Sequence, residues 1–297
     1  MSDKNPAEFR HTTPLRDIWR LFKQRQSGLF CGYILVLLLI ALIFAPWLAP
    51  YAQGSQFLGQ ELLPPAWSHS GRLAYFFGTD DLGRDLFSRI IHGLRYTFGG
   101  GLLVTLLTLL IGGTLGVLSG SGKGLSVGIL GHFLDAFLSI PILLLAIVIA
   151  TLMQPSLLNA ILAILLASLP YFIHQVYQML LREFHKDYIN MLRLDGASQG
   201  DLLKHIVLPN LIPQFIRLGS RVFIFAILDI SALSFISLGA QPPLPEWGTM
   251  IREYIDLIYL APWLVIIPGV ILTLIIFMIL LFSDTLAKTV EKYYHTR

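Results

Sequence analysis

The sequence predicts an all-α membrane protein with six transmembrane helices and both termini on the cytoplasmic side. Three observations carry that reading. Hydrophobic residues make up 55% of the 297 residues and charged ones only 13%, about half of the ~25% charged content of a soluble domain. The apolar residues come in long blocks, each near the roughly 20 residues that a helix needs to cross a bilayer. Lys and Arg also gather in alternate connecting segments, as expected where cytoplasmic loops carry the positive charge. The net charge of +3 is too small to imply nucleic acid as a partner, and the bilayer is the expected solvent. A single cysteine, Cys31, excludes an internal disulfide, and its place in an apolar run predicts plain packing.

The apolar blocks run over 28–49, 97–119, 126–152, 156–181, 213–239 and 263–284. The third and fourth are nearly continuous, split by Gln154-Pro155, and Arg217, Arg221 and Asp229 interrupt the fifth. Orientation follows from the basic residues. Lys4, Arg10, Arg16, Arg20, Lys23 and Arg25 precede the first block, Arg182, Lys186, Arg193 and Lys204 lie in the 182–212 loop, and Lys288, Lys292 and Arg297 end the chain. The 240–262 loop holds only Arg252 against Glu246, Glu253 and Asp256. The 50–96 loop is then external, and its Arg72, Arg84, Arg89 and Arg95 are offset by pairing with Asp80, Asp81 and Asp85. The resulting division is a cytoplasmic interfacial helix in 1–27, a first transmembrane helix with its external loop in 28–96, a five-helix core in 97–284 with a cytoplasmic loop at 182–212, and a cytoplasmic tail in 285–297. A charged segment ahead of a first block long enough to anchor predicts that no signal peptide is cleaved.

Residues 13–25 read as a surface helix. Thr13 can cap it, Pro14 suits its first position and Asp17 sits in its first turn. Leu15, Ile18, Trp19 and Phe22 share one face against Arg16, Arg20 and Lys23 on the other, the pattern of a helix lying in the membrane interface. Residues 77–95 read as an external amphipathic helix leading into the second span. Thr79 is the expected cap, Asp80 and Asp81 complement the helix dipole, and Leu82, Leu86, Ile90 and Leu94 recur every four residues. Capping accounts for these acids better than a metal site, since no His or Cys accompanies them.

Within the spans, Gly112, Gly116 and Gly120 repeat at the spacing that allows close helix contact in lipid, and Pro141, Pro170 and Pro268 are expected to bend their helices. The stretch Ser119 to Ser126 looks like a phosphate loop but has Val117 at the first glycine position and Gly124 in place of the hydroxyl residue, so a short cytoplasmic hairpin is the better reading. No nucleophile is arranged with His132 and Asp135, which are expected to pair with each other or a neighbouring helix, and no His-Glu-x-x-His occurs. The chain is not expected to be an enzyme or to bind a cofactor. Asp229 is the sharpest ionisable group inside a span, where such groups usually face a pathway or protein interior. It is read either as a contact for a cationic substrate or as the partner of Arg221 or of a residue on another subunit.

The most informative segment is Gly196 to Pro209. Asp195-Gly196 forms a turn, Ala197 and Ser198 follow, and residues 199–208 can form a helix with Leu202, Leu203, Ile206 and Val207 on one side, broken by Pro209. Two short helices meeting at a glycine turn make a knob on which a soluble motor can push. Gly196 is followed by nine residues and then Ile206-Val207-Leu208-Pro209. This spacing resembles the docking loop of binding-protein-dependent ABC-transporter permeases, with Asn190-Met191-Leu192 standing where that loop carries Glu-Ala-Ala.

The resemblance extends along nearly the whole chain. Phe77 through Asp85 (Gly78, Thr79, Asp80, Asp81, Leu82, Gly83 and Arg84 between them) is similar to the external motif of dipeptide and oligopeptide permease C subunits, as are Leu138-Ser-Ile-Pro141, Leu233-Ser-Phe235 and Ala261-Pro-Trp263. The stretches Ala226–Ala232, Leu238–Gln241 and Pro245–Gly248 are most like the C-type permeases of Sap peptide-transport systems. The resemblance implies a type I ABC-importer-like permease in a bacterial inner membrane. It implies a second permease (SapB-like), two ATPase subunits (SapD- and SapF-like) that carry ATP and Mg, and a periplasmic binding protein (SapA-like) facing the external 51–96 and 240–262 segments. The implied cargo is peptide, including antimicrobial and cationic peptides, with putrescine export as the alternative. An ATP-independent secondary transporter or channel is the competing class; it would usually show internal repeats, and none is visible.

Overall fold

The structure is a computed structural model that describes residues 14–121 and 138–295. Those residues are helical apart from turns and one isolated antiparallel bridge between Thr79 and Asp85. Helix α1 spans Pro14–Lys23, α2 Gln26–Leu48, α3 Leu86–Leu107, α4 Gly113–Ser121, α5 Ile142–Thr151, α6 Leu157–Phe184, α7 Asp187–Leu194, α8 Gln199–Leu202, α9 Leu208–Phe235, α10 Trp247–Tyr254 and α11 Trp263–His295. Wide π turns at Thr108–Gly112 and Leu203–Val207 join α3 to α4 and α8 to α9 without a break.

Five stretches are long and apolar enough to cross a membrane: Gln26–Leu48, Leu86–Gly120, Leu157–Phe184, Gln199–Phe235 and Trp263–Tyr294. They match five of the six expected blocks. The remaining block, 126–152, is described only in its second part, where α5 is a shorter apolar helix. Its first part, with His132, Asp135 and the expected hairpin of the phosphate-loop-like stretch, lies outside the described residues, as does Thr13. The break between α5 and α6 falls at Gln154-Pro155, as expected.

Helix α9 is central and packs against α3, α6, α10 and α11. Around it Val104, Ala146, Ile164, Ala226, Ile230 and Leu233 form one apolar cluster, and Phe172, Val176, Leu180, Leu211 and Leu218 another. Helix α2 stays peripheral and buries only Gly28, Cys31 and Ala45. In α1, Phe22 is buried and edge-on to Phe282 at 5.8 Å, while Leu15 and Trp19 remain exposed beside it. That is the amphipathic helix expected, with one aromatic anchored on α11.

The glycine repeat has a matching repeat across the interface. A Cβ on Gly112 would come within 2.7 Å of Phe172, one on Gly116 within 2.6 Å of Val176 and one on Gly120 within 2.8 Å of Leu180. Both rows advance by four residues, so α4 and α6 run side by side at a distance that only glycine allows. Pro170 and Pro268 sit inside helices, as expected. Pro141 instead caps the start of α5, because its fixed φ and missing N–H suit the residue before a first turn better than a helix interior. Pro46 in α2 and Pro213 in α9 are helix-interior prolines that the apolar blocks concealed.

Gly116→Ala is expected to lower the thermal midpoint in detergent by an amount corresponding to about 1–3 kcal/mol of overpacking. Gly113→Ala, whose Cβ would meet Phe172 only at 3.9 Å, is expected to leave it unchanged or raise it.

Candidate functional site

The knob is built by local rules. Helix α7 ends in a left-handed glycine: Gly196 has φ +92°. Its N–H donates to the Arg193 carbonyl at 3.1 Å, and the Ala197 N–H reaches back to the Leu192 carbonyl at 3.0 Å. This pair of bonds is the Schellman stop of a helix, and Leu192 packs with Ala197 as that motif requires. Ser198 then starts α8, its hydroxyl accepting the Asp201 N–H at 3.1 Å and donating to the Asp201 carboxylate at 2.6 Å. Among the described residues, nothing beyond the glycine and its two chain neighbours lies within 4 Å of a Cβ built on Gly196. Positive φ, rather than close approach within the chain, is what demands glycine there.

The expected signature residues separate into two groups. Asp195, Gly196 and Ser198 are exposed at the tip, with Ala197 half-buried beneath them, whereas Ile206, Leu208 and Pro209 are half-buried at the root. Pro209 does not break the helix. It falls in the first turn of α9 just after a wide π turn, so the helix runs on from Gln199 to Phe235. Leu202 and Val207 are buried as expected, together with Ile189. Met191 and Leu194 are exposed by 66% and 89%, which gives the tip an apolar surface that the described residues leave uncovered.

A polar staple that the sequence pattern did not reveal fastens the knob. Buried Glu183, at the end of α6, accepts the Tyr188 hydroxyl and pairs with Lys186 Nζ at 2.7 Å. Asn210 at the start of α9 donates to the same Tyr188 oxygen at 3.1 Å. Burial, reinforced by the Glu183 bond, pushes the Tyr188 hydroxyl up to about 12, so it stays protonated and keeps donating.

At the opposite end, the motif from Gly78 to Asp85 folds as a turn rather than as the start of a helix. Asp85, not Thr79, caps α3, accepting the Ser88 N–H at 2.8 Å and the Ser88 hydroxyl at 2.6 Å. Thr79 donates its hydroxyl to the Gln60 carbonyl and accepts the Leu63 N–H at 2.9 Å. Gly78 and Gly83 adopt φ of +84° and +69°. Asp80 does not meet the helix dipole; it is fully buried. One of its oxygens accepts the Leu82 and Arg84 N–H groups at 2.9 and 2.8 Å. The other accepts Arg84 Nε at 2.6 Å, Arg89 Nη1 at 3.2 Å and the Tyr254 hydroxyl at 2.7 Å. Glu253 completes the cluster, taking Arg84 Nη2 and Arg89 Nη2 at 2.7 Å each. Burial works against the Arg84 charge, but Tyr254, Glu253 and Asp80 outweigh it and hold the guanidinium firmly protonated. Asp81 and Leu82 are exposed, so the outer surface of the motif is free while its inner face is locked to α10.

A second buried carboxylate, Glu246, caps α10. It accepts the Thr249 N–H at 2.8 Å, the Thr97 hydroxyl at 2.9 Å and the Ser231 hydroxyl at 3.1 Å, drawing α3, α9 and α10 together. Asp229, on α9, is 6% exposed. Arg221 is exposed about two helical turns away and does not pair with it, and no other hydrogen-bond or ion-pair partner reaches Asp229 among the described residues. The carboxylate lines a cavity of about 10 Å³, room for roughly one water. That cavity shares Ile142, Tyr171 and Phe225 with an open cleft of about 270 Å³.

Comparison with known proteins places this geometry in context. The family described as binding-protein-dependent transport system inner membrane component matches residues 112–292, and the N-terminal TM domain of oligopeptide transport permease C matches residues 13–65. The peptide transport system permease protein SapC of Haemophilus influenzae is 51% identical over 99% of both chains. SapC of Escherichia coli is 41% identical over 96% of both. The dipeptide permease DppC of Haemophilus influenzae is 36% identical over 98% of both. Inward-facing MetNI methionine ABC transporter is similar in fold, with TM-score 0.57 and 18% identity over 68% of this chain and 95% of that one.

Asp80→Ala is expected to cost about 3–5 kcal/mol by leaving two buried guanidinium groups short of a counter-charge, seen as a lowered thermal midpoint of the purified protein. Asp81→Asn, at an exposed neighbour, is expected to stay within about 0.5 kcal/mol.

Proposed function

The chain belongs to the family of binding-protein-dependent transport system inner membrane components, and from that premise we propose that it forms one half of the membrane pathway of an ATP-driven peptide transporter. It is a multi-pass inner-membrane permease with a type I ABC-importer-like fold. Relatives named for peptide, dipeptide and di/tripeptide transport favour peptide cargo over polyamine. Family membership also replaces the reading as an ATP-independent transporter or channel.

The finer architecture follows the charge distribution. Six spans with both termini cytoplasmic place residues 1–27, the 182–212 loop and the 285–297 tail inside and the 50–96 loop and α10 outside. The partners in this reading are a SapB-like permease, SapD- and SapF-like ATPases that hold ATP and Mg, and a SapA-like binding protein. The last would meet the outer surface of the Gly78–Asp85 turn, where Asp81 is exposed. The tip formed by Asp195, Gly196, Ala197 and Ser198, flanked by Met191 and Leu194, would seat in a groove of one ATPase.

One observation carries the mechanism. The second helix of the knob is not a separate piece but the beginning of a continuous helix from Gln199 to Phe235, 37 residues long, or about 55 Å. Movement of the tip by a closing ATPase pair would therefore reach α9 along one continuous helix, through the π turn at Leu203–Val207. Asp229 lies on that same helix beside the open cleft, where it would face a cationic stretch of peptide. Staple residues Glu183, Tyr188 and Asn210 are positioning groups that keep the tip and the helix moving as one body.

The test is co-purification of this chain from its native membrane with an ATPase assay in proteoliposomes. ATPase subunits are expected to accompany it, and Gly196→Trp, strained at positive φ and bulky at the tip, is expected to lower transport-coupled ATP hydrolysis by about tenfold, a loss near 1.4 kcal/mol of coupling. Transport that persists without ATP would overturn the reading. Asp229→Asn is expected to reduce uptake of cationic peptides more than neutral ones, and unchanged uptake of both with intact assembly would remove Asp229 from the pathway.

A further inference from the structure

Between α1, α2, α3, α9 and α11 runs a groove of about 470 Å³ that is separate from the Asp229 cavity and from the knob. Trp19, Phe22, Val36, Phe98, Phe223 and Phe282 form much of its wall. Four hydroxyl residues line it; Tyr33 on α2 is exposed, and the other three are turned back onto their own helices. Thr105 donates to the Gly101 carbonyl at 2.7 Å, Ser220 to the Ile216 carbonyl at 2.8 Å and Ser283 to the Leu280 carbonyl at 3.1 Å. The wall therefore offers hydrocarbon and almost no free hydrogen-bonding group. A peptide backbone seated there would lose its water partners and gain none, at a cost of several kcal/mol per unpaired group in an apolar setting. An alkyl chain would lose nothing. At ~30 Å³ per methylene, close to the share of a water molecule, the volume accepts an alkyl chain of about 16 carbons.

The mouth of the groove has a different character. Trp19 belongs to the wall, and Lys23 Nζ stands 5.4 Å from the centre of its ring. Arg16 lies one turn before Trp19, at the border between the cationic and apolar faces of α1, and Arg16, Arg20, Lys23 and Arg25 are all exposed, with Asp17 the one acid of that helix. A hydrocarbon slot that opens beneath a cationic interfacial helix matches one ligand chemistry at both ends. We propose that the groove is the seat of an anionic phospholipid, one acyl chain lying between α2, α3, α9 and α11 and its phosphate meeting Lys23 and Arg16 at the rim. The bound lipid would cover Phe22 and Phe282 and fix α1 against the end of α11. The inference rests on the membrane location of the chain and not on how it is coupled to ATP. Cations beside a membrane surface favour anionic headgroups, and an aromatic residue at that level marks the interface.

The test reads the lipid beside Trp19. The intact transporter complex is placed in phosphatidylcholine nanodiscs doped with acyl-brominated phosphatidylglycerol or, at equal mole fraction, acyl-brominated phosphatidylcholine. The fluorescence of Trp19 is obtained by difference from a Trp19→Phe complex. The expected result is quenching of Trp19 at a several-fold lower fraction of the phosphatidylglycerol. That preference is expected to fall by about fivefold for each cation removed in Arg16→Gln and Lys23→Gln. Ser220→Leu, which fills the slot from α9, is expected to weaken quenching by both lipids. Equal quenching by the two lipids would mean only bulk annular exchange and overturn the proposal. So would absence of quenching by either, which would mean that an apolar helix of a partner subunit covers the groove. A preference that survives both charge removals would overturn the headgroup assignment.

Discussion

The constraint on which the rest depends is the pairing of buried Asp80, Arg84 and Arg89 with the half-buried Glu253. Taking isolated ions out of water costs far more than any single contact returns. Here both carboxylates are bonded by both arginines, and the Tyr254 hydroxyl donates into the same cluster. Burial pushes the Tyr254 hydroxyl far up, so it remains a donor. The cluster joins the irregular 51–85 loop to the last turn of α10, where Glu253 and Tyr254 lie. With α10 fixed, Glu246 can cap it and still receive Thr97 from α3 and Ser231 from α9. Trp247 then donates its ring N–H to the Ile90 carbonyl at 3.2 Å beneath the cluster. Each polar bond thus sets the position of an apolar one, and the seam between α3, α9 and α10 closes from that end.

Toward the other end the same helices are held by shape. The row Gly112, Gly116 and Gly120 admits the Phe172, Val176 and Leu180 row of α6, and α6 carries Glu183 at its end to the base of the knob. Glu183 then does for the knob what Glu253 does for the motif: a buried carboxylate binds donors from separate elements and makes them one piece. Between the two fastened ends, α9 is the shared member. The architecture is a rod clamped at one end by the bond from Ser231 to Glu246 and joined at the other to the knob.

Much of this was legible in the sequence, and what was missed has a common cause. Apolar blocks revealed the spans because lipid selects composition over about 20 residues. The period-four glycines revealed a contact because the spacing alone puts them on one face. Gly196 was legible because a turn followed by a helix start is written in adjacent residues. Asp80 was misread as a dipole partner because the cluster that holds it closes only with Tyr254, 174 positions away, and with Glu253, which shares Arg84 and Arg89 with it, and no local pattern records that closure. Thr79 was read as the cap although Asp85 holds that place, since both residues can cap and only tertiary packing decides between them. Pro209 was read as a breaker because the π turn that accommodates it leaves no mark in the residue pattern. Glu183, Tyr188 and Asn210 were missed for the reason Asp80 was misread: each is ordinary locally, and their significance exists only once the chain is folded.

Comparison of two carboxylates shows where the polar accounting stops being structural. Glu246 is fully buried, but its oxygens receive an N–H and three hydroxyls, and it sits at the N-terminus of α10, where the helix dipole favours a negative charge. Its burial is explained by what it holds together. Asp229 is almost as deeply buried, lies inside a spanning helix, and receives no donor among the described residues. The Thr105, Ser220 and Ser283 hydroxyls satisfy themselves on their own backbones, as polar groups facing hydrocarbon must. Asp229 cannot, because a carboxylate has no proton to donate to a carbonyl and the helix N–H groups beside it are already engaged. An ionisable group is costly to keep in such a place, and usually faces a protein interior or a pathway. The cavity beside it has room for about one water, and the adjoining cleft lined by Tyr171 and Phe225 leaves that side of the carboxylate open to a further partner.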